Sequence, residues 1–116
     1  MNYGFAGGNN VGLRYILSKN DFDYIWLLNN DTVVGKESLY SMVEFMKRNP
    51  QTGAIGSKVL YFNQPDLIQT TAGGKFIKYL GYVQQIGHRK KDCGQWDRIY
   101  TVDYITGASF FLSHKV

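Results

Sequence analysis

Apolar and polar positions along the chain switch period several times, and each switch marks an element. Val11, Leu13, Tyr15, Ile16 and Leu17 form a broad apolar stripe that predicts a helix from about Asn9 or Asn10 to Ser18. Either asparagine suits its N-cap, and Lys19 suits its C-terminal end. Phe22 to Leu28 is β-prone and apolar except for Asp23, long enough for a central strand buried on both faces. Lys36 to Arg48 returns to helical spacing, with Leu39, Met42, Val43 and Met46 on one face and Asn49-Pro50 as the stop. Gly53 to Phe62 alternates like a strand, and Asn63 to Asp66 reads as a turn. Ile68–Thr71 and Lys75–Leu80 flank Ala72-Gly73-Gly74, a hairpin connection, and Tyr82 to Ile86 adds a short strand. Gly87 to Asp97 reads as an exposed, mobile loop. Arg98 to Ile105 and Ala108 to Leu112 read as strands broken at Gly107.

Helix, strand, helix, strand and then antiparallel material fit one α/β sandwich with a mixed sheet. At 116 residues the chain holds one domain, and 44% apolar residues suffice for a core. No apolar run approaches the roughly 20 residues of a membrane helix. The opening glycines and asparagines do not resemble a secretory leader. Cys93 has no partner for a disulfide.

The formal charge of +4 suggests an anionic partner without naming it. Six of the thirteen Lys and Arg fall between Lys75 and Arg98. A sugar nucleotide, an anionic membrane and a nucleic acid would all answer to that field, although no RNA-binding aromatic signature is present.

Chemistry concentrates where the first strand ends. Tyr24-Ile25-Trp26-Leu27-Leu28 stops abruptly in Asn29-Asn30-Asp31. Ligands in α/β sheets gather beyond the carboxyl ends of strands, so Asp31 is placed to meet one, unless these residues only cap the next element. A calcium loop needs an oxygen ligand at its fifth position and Gly at its sixth, and Val33 and Val34 stand there instead. One carboxylate plus substrate phosphates suits Mg²⁺ or Mn²⁺. The Asn30-Asp31-Thr32 sequon is incidental at a strand end.

Asn2 to Gly12 holds four glycines and three asparagines and reads as a loop. It lacks the Gly-Lys-Ser/Thr of a Walker loop and the spacing of a dinucleotide fingerprint. What remains is a helix start whose free N–H groups, near Gly8 to Asn10, could face an anion. His88 and His114 have no metal companions and read as surface residues. Arg89-Lys90-Lys91 reads as a solvated run. Asp103 either faces a ligand or is an exposed strand residue.

Three ordered segments carry a resemblance. Asn2-x-Gly4-Phe5-Ala6-Gly7-Gly8-Asn9-Asn10-x-Gly12, Leu27 to Val34, and Val102-Asp103-Tyr104-Ile105-Thr106-Gly107-Ala108-Ser109-Phe110-Phe111-Leu112 together resemble family 2 glycosyltransferases of the rhamnosyltransferase-like branch. The resemblance spans nearly the whole chain. It implies a GT-A fold, with residues 1–116 the central part of a single domain lacking the opening strands and the C-terminal part. It also implies a nucleotide-diphosphate sugar donor, a divalent cation, and a saccharide or lipid-linked acceptor. Asn29-Asn30-Asp31 then matches the family's D-x-D motif. Asp31 matches the carboxylate that binds metal and diphosphate, while Asn29 stands where many members carry Asp.

By the same resemblance, Gly8, Asn10, Asn29, Asn30, Asp31, Thr106, Gly107 and Ala108 would bind the donor, with Asp31 the metal ligand. The inverting base follows the third segment in that family and would lie beyond Val116, so the isolated chain is expected to be nearly inactive. The parent would work in bacterial surface polysaccharide biosynthesis, in the cytoplasm and peripherally at the inner face of the membrane. Two rivals stay open: a non-catalytic nucleotide-sugar-binding or interaction module, and a nucleotidyltransferase.

Overall fold

The computed structural model describes residues 3–114; Asn2, the first residue of the glycine-rich segment, lies outside them. Two helices and eight strands follow in the order α1 (Gly4–Lys19), β1 (Tyr24–Leu28), α2 (Ser38–Arg48), β2 (Ala54–Gly56), β3 (Lys58–Tyr61), β4 (Gln64–Thr71), β5 (Gly73–Ile77), β6 (Tyr82–Gln85), β7 (Tyr104–Ile105) and β8 (Ser109–Ser113). The class is α/β, as expected, and is consistent with part of a GT-A-like domain.

One sheet has the order β1-β8-β2. The other runs β3-β4-β5-β6, with β7 also on β5. Among the described residues every strand pairing is antiparallel, so the mixed sheet expected from the element order is not what forms.

The core forms where α2 lies on the first sheet. Met42 and Met46 are buried one turn apart, as their spacing predicts, and close over Phe111. Phe111 is 1% exposed. Its ring stacks on Tyr24 at 5.3 Å and meets the edge of Trp26 at 6.3 Å. A polar chain crosses the same core. Trp26 Nε1 donates to Ser109 Oγ at 3.0 Å, Ser109 and Ser57 share a hydrogen bond of 2.9 Å, and Ser57 Oγ reaches Met42 Sδ at 3.4 Å.

Several expectations change. The stretch from Gly53 to Phe62 is two strands in different sheets, broken at the Ser57 that joins this polar chain. β1 lies at an edge of its sheet; β8 takes the centre, because both its neighbours pair along it. Asn63-Gln64-Pro65-Asp66 is not the turn: Gln64 already pairs with Tyr61, so Phe62-Asn63 make the connection and Pro65 lies within β4. Between β4 and β5 only Ala72 turns, at φ 81°. Gly73 and Gly74 are strand residues chosen for close approach: a Cβ on Gly73 would sit 1.8 Å from the Tyr104 carbonyl oxygen.

Gly87 to Asp97 is not loose. Leu67 and Lys91 bridge, Ile68 exchanges backbone hydrogen bonds with Arg89 and Lys90, and Lys58 binds both Asp92 and Asp97. Arg98 to Ile105 is strand only at Tyr104–Ile105, where it can pair with β5.

The glycine-rich segment is also not a loop. It is the first half of α1, which ends on Asn20 in the left-handed conformation. Nucleating a helix is costly and extending one is cheap, so the Val11–Lys19 helix propagates backwards. Each glycine costs only about 1 kcal/mol relative to Ala, and no proline stops it. The predicted stripe is not covered as expected: Val11, Tyr15 and Leu17 are exposed, and only Leu13 and Ile16 among them are half-buried.

Phe111→Ala should lower unfolding free energy by about 3–5 kcal/mol in urea melts, since it empties the contact between α2 and the first sheet. A loss below about 1 kcal/mol would show that the core does not depend on this ring.

Candidate functional site

Register sets the geometry around Asp31. Trp26 pairs with Phe111, Leu27 with Phe110 and Leu28 with Ser109, so β1 delivers its tip to the residue preceding β8. Asn29 N–H then donates to the Ala108 carbonyl at 3.2 Å. Asn30 and Asp31 follow as an exposed turn. The Asp31 carboxylate engages no hydrogen bond or ion pair among the described residues.

Thr106-Gly107-Ala108 is the bend that carries the chain from the second sheet to the first. Thr106 N–H donates to the Ala72 carbonyl at 2.9 Å, and Ala108 N–H donates to Thr106 Oγ1 at 3.1 Å. The threonine hydroxyl therefore holds the bend from within. Gly107 lets the Phe5 ring lie close: an added Cβ would come 2.8 Å from Phe5 Cζ.

The three segments thus meet at one place: the start of α1 through Phe5, the tip of β1, and the bend before β8. Asn29, Asn30, Asp31, Thr106, Gly107 and Ala108 belong to it directly. Gly8 and Asn10 lie further along α1, about one turn beyond Phe5. Both are exposed, and their N–H groups are inside a helix that begins at Gly4. The N–H groups near Gly8 to Asn10 are therefore not those of the expected helix start, but lie within the ladder of a helix that begins four residues earlier. Asn9 is also committed, since its Nδ2 donates to the Phe5 carbonyl at 3.0 Å. Sequence reasoning passed over Phe5; the unusual glycine opposite it, Gly107, is the only local hint.

A sizeable cleft lies elsewhere. It encloses about 1180 Å³ between α2 and residues 96–105, with Tyr40, Phe45, Trp96 and Tyr104 among its walls. Ala72 and Ile105, next to the bend, also line it. Volume favours the cleft as the reacting centre, but its carboxylates are already engaged. Glu44 is paired with Lys47 and Arg48. Asp103 accepts the Phe76 N–H at 2.9 Å and lies 3.5 Å from Lys75 Nζ. Asp31, unlike these two, has no side-chain partner among the described residues, so chemistry favours the tip of β1.

No group of three or more His, Cys, Asp or Glu is arranged to hold a metal among the described residues. Asp31 with the Asn29 and Asn30 amides is an all-oxygen donor set of low charge. Such a set fits a Mg²⁺- or Mn²⁺-type cation that takes its remaining ligands from phosphate and water. His88 is exposed, with Nδ1 2.8 Å from the Gln69 carbonyl, and His114 is exposed with its ring centre 4.4 Å from that of Phe22. Cys93 is free and exposed.

The model of Glycosyl transferase family 2 matches residues 1–111, a span that includes the first two segments and all of the third but Leu112. No curated protein and no solved structure matches the chain.

The hydrogen bond from Phe76 N–H, aided by Lys75 and Lys78, holds the Asp103 carboxyl below the usual carboxylate range. A carboxylate lowered in the folded state stabilises it above the unfolded pKa of about 3.9, and that contribution disappears as pH falls through the folded value. Urea midpoints should therefore be lower for Asp103→Asn than for the parent chain near neutral pH. The gap should narrow from about pH 4 downward. A gap that is constant over this range would mean that the carboxylate's charge contributes nothing.

Proposed function

The chain belongs to glycosyl transferase family 2, and from that premise we propose that its protein transfers a sugar from a nucleoside diphosphate donor to a saccharide or lipid-linked acceptor, with inversion. The observation that carries this reading is the uncommitted Asp31 carboxylate at the tip of β1, hydrogen-bonded through Asn29 to the Thr106–Ala108 bend. Membership makes a donor of this class the expected ligand. The convergence of three sequence segments at one bend supports placing the donor there.

In this proposal Asp31 would hold a divalent cation, Mg²⁺ or Mn²⁺, for the donor diphosphate. When bound, the cation supplies Lewis-acid stabilisation of the charge that develops on the leaving diphosphate. Asn29 lacks the charge of a second carboxylate. Its side-chain amide serves as a hydrogen-bonding group for the nucleotide ribose rather than as a strong metal ligand. Asn30 completes the polar turn. Gly107 lets Phe5 lie against the bend as one wall for the donor sugar, and Thr106 fixes the bend so that this wall is formed before the donor arrives. Preorganisation of this kind avoids an ordering cost at binding.

Of the predicted donor residues, Gly8 and Asn10 contribute through the exposed face of α1 rather than through a phosphate-binding helix start. The aromatic cleft that runs up to Ile105 offers a route for the acceptor. Flat rings such as Tyr40 and Tyr104 combine apolar faces with polar edges, which suits a saccharide. The rhamnosyltransferase-like branch, polysaccharide biosynthesis in a bacterium and a position at the inner face of the membrane are the finer parts of the same proposal.

Isothermal titration with uridine, guanosine and thymidine diphospho-sugars, with and without Mn²⁺, tests it. At least one donor should bind only with the metal, and Asp31→Ala should weaken that binding by about tenfold or more, equivalent to about 1.4 kcal/mol. Equal binding by Asp31→Ala, or binding that ignores the metal, would assign the site elsewhere.

A further inference from the structure

The β5–β6 hairpin has no role in the donor site, and it is built unlike the rest of the fold. At its base it is well supported. Gly73 pairs with Thr71 on one side and Ile105 on the other, and Gly74 pairs with Tyr104. Beyond that, Lys75 to Ile77 pair only with Tyr82 to Gln84, so the outer half is a two-stranded ribbon. An isolated two-stranded ribbon is marginal in water. This one also carries apolar side chains on both faces. Phe76 pairs with Val83 on one face, both about half exposed, and Ile77 pairs with Tyr82 on the other. At the apex Tyr79 is fully exposed and Leu80 is 69% exposed. Contiguous exposed apolar surface of this kind marks an interaction site.

Charge identifies the partner. From Leu67 to Lys91 the chain contains five Lys and Arg and no Asp or Glu. Lys78 stands in the apex turn and makes no ion pair among the described residues. Lys75 is held at the base by Asp103, at 3.5 Å. The apex is therefore apolar, aromatic and cationic, and the Asp103 carboxylate at the hairpin base acts on Lys78 only through space. The apex backbone is also partly satisfied: Leu80 and Gly81 N–H both donate to the Ile77 carbonyl, at 3.0 and 2.9 Å. A turn that keeps its own hydrogen bonds loses less on leaving bulk water.

We propose that this hairpin is a membrane-docking element whose apex enters the interface of an anionic bilayer. Tyr79 sits at headgroup level, where amphipathic rings are favoured. Leu80 reaches the acyl boundary, and Lys78 pairs with lipid phosphate. The proposal is independent of the donor site.

Co-sedimentation of the full chain with vesicles tests it. Phosphatidylcholine vesicles containing about 30% phosphatidylglycerol should retain the protein, and pure phosphatidylcholine vesicles should not. Tyr79→Asp combined with Leu80→Asp should weaken retention by about tenfold or more. Lys78→Glu should weaken it several-fold, with the difference fading as salt is raised. These positions are solvent-facing, and circular dichroism melts confirm that the variants fold; Tyr79→Ser replaces the double variant if that one does not. Asp31→Ala should bind vesicles like the parent chain, so failure here is separable from failure of the donor reading. Absence of vesicle binding, equal binding to neutral vesicles, or full binding by folded apex variants each overturns the proposal. So does self-association that the apex substitutions abolish in the absence of lipid binding, which would assign the hairpin to a second copy of the chain.

Discussion

Burial of Phe111 between α2 and the two aromatic rings of β1 is the constraint on which the remaining geometry depends. β8 is central in its sheet, and side chains on a strand alternate between faces. A slip of one residue in β1 against β8 would turn Phe111's partners away from Met42 and Met46. It would also move Asn29 off the Ala108 carbonyl. The core and the candidate site are therefore set by one register. The polar chain from Trp26 through Ser109 and Ser57 to Met42 reinforces it, because an indole N–H left without an acceptor in this setting would cost about 1–3 kcal/mol.

That polar chain also accounts for how the two sheets meet. Ser57 interrupts what would otherwise be one long strand, so β2 stays with β8 while β3 departs with β4. The junction is tight and built on glycine. A Cβ on Gly56 would be 2.8 Å from the Ala72 carbonyl oxygen, and one on Gly74 would be 2.2 Å from that of Gln84. Ala72 in turn accepts the Thr106 N–H. Backbone-to-backbone contact at this corner fixes the bend on which the candidate donor site rests.

What could be read from the sequence follows from this. Met42 and Met46, the apolar run of β1 and its abrupt polar ending, and the strand around Phe111 all have local periodicity that survives folding. α1 was misplaced at its start because glycine and asparagine signal loops locally, while helix propagation is set by the segment behind them. β1's edge position is a property of pairing, which an apolar run does not encode. The Gly87–Asp97 segment looked mobile because its anchors are distant: Lys58 and Leu67 hold it, and neither announces that role. For the site, Asn29 to Asp31 and Thr106 to Ala108 were legible, whereas the contribution of Phe5 became visible only with Gly107 opposite it.

The same corner links the two proposals mechanically. β7 pairs with the base of β5 and leads through Thr106 into the bend beside Asp31, so the hairpin and the candidate donor site share a backbone support only a few residues long. From Gly74 to Ile77 is three residues of extended chain, roughly 10 Å at the usual strand rise, and the apex turn lies beyond it. An apex seated in lipid headgroups would hold the bend at about that height above them. A saccharide carried on a lipid anchor projects through the same layer, and Ala72 and Ile105 beside the bend line the aromatic cleft. Docking would then convert a search through bulk solution into one along a surface, with the acceptor presented at a fixed height. The hairpin's rigid base matters for this. A flexible tether would capture lipid equally well but would leave the distance between membrane and Asp31 undefined.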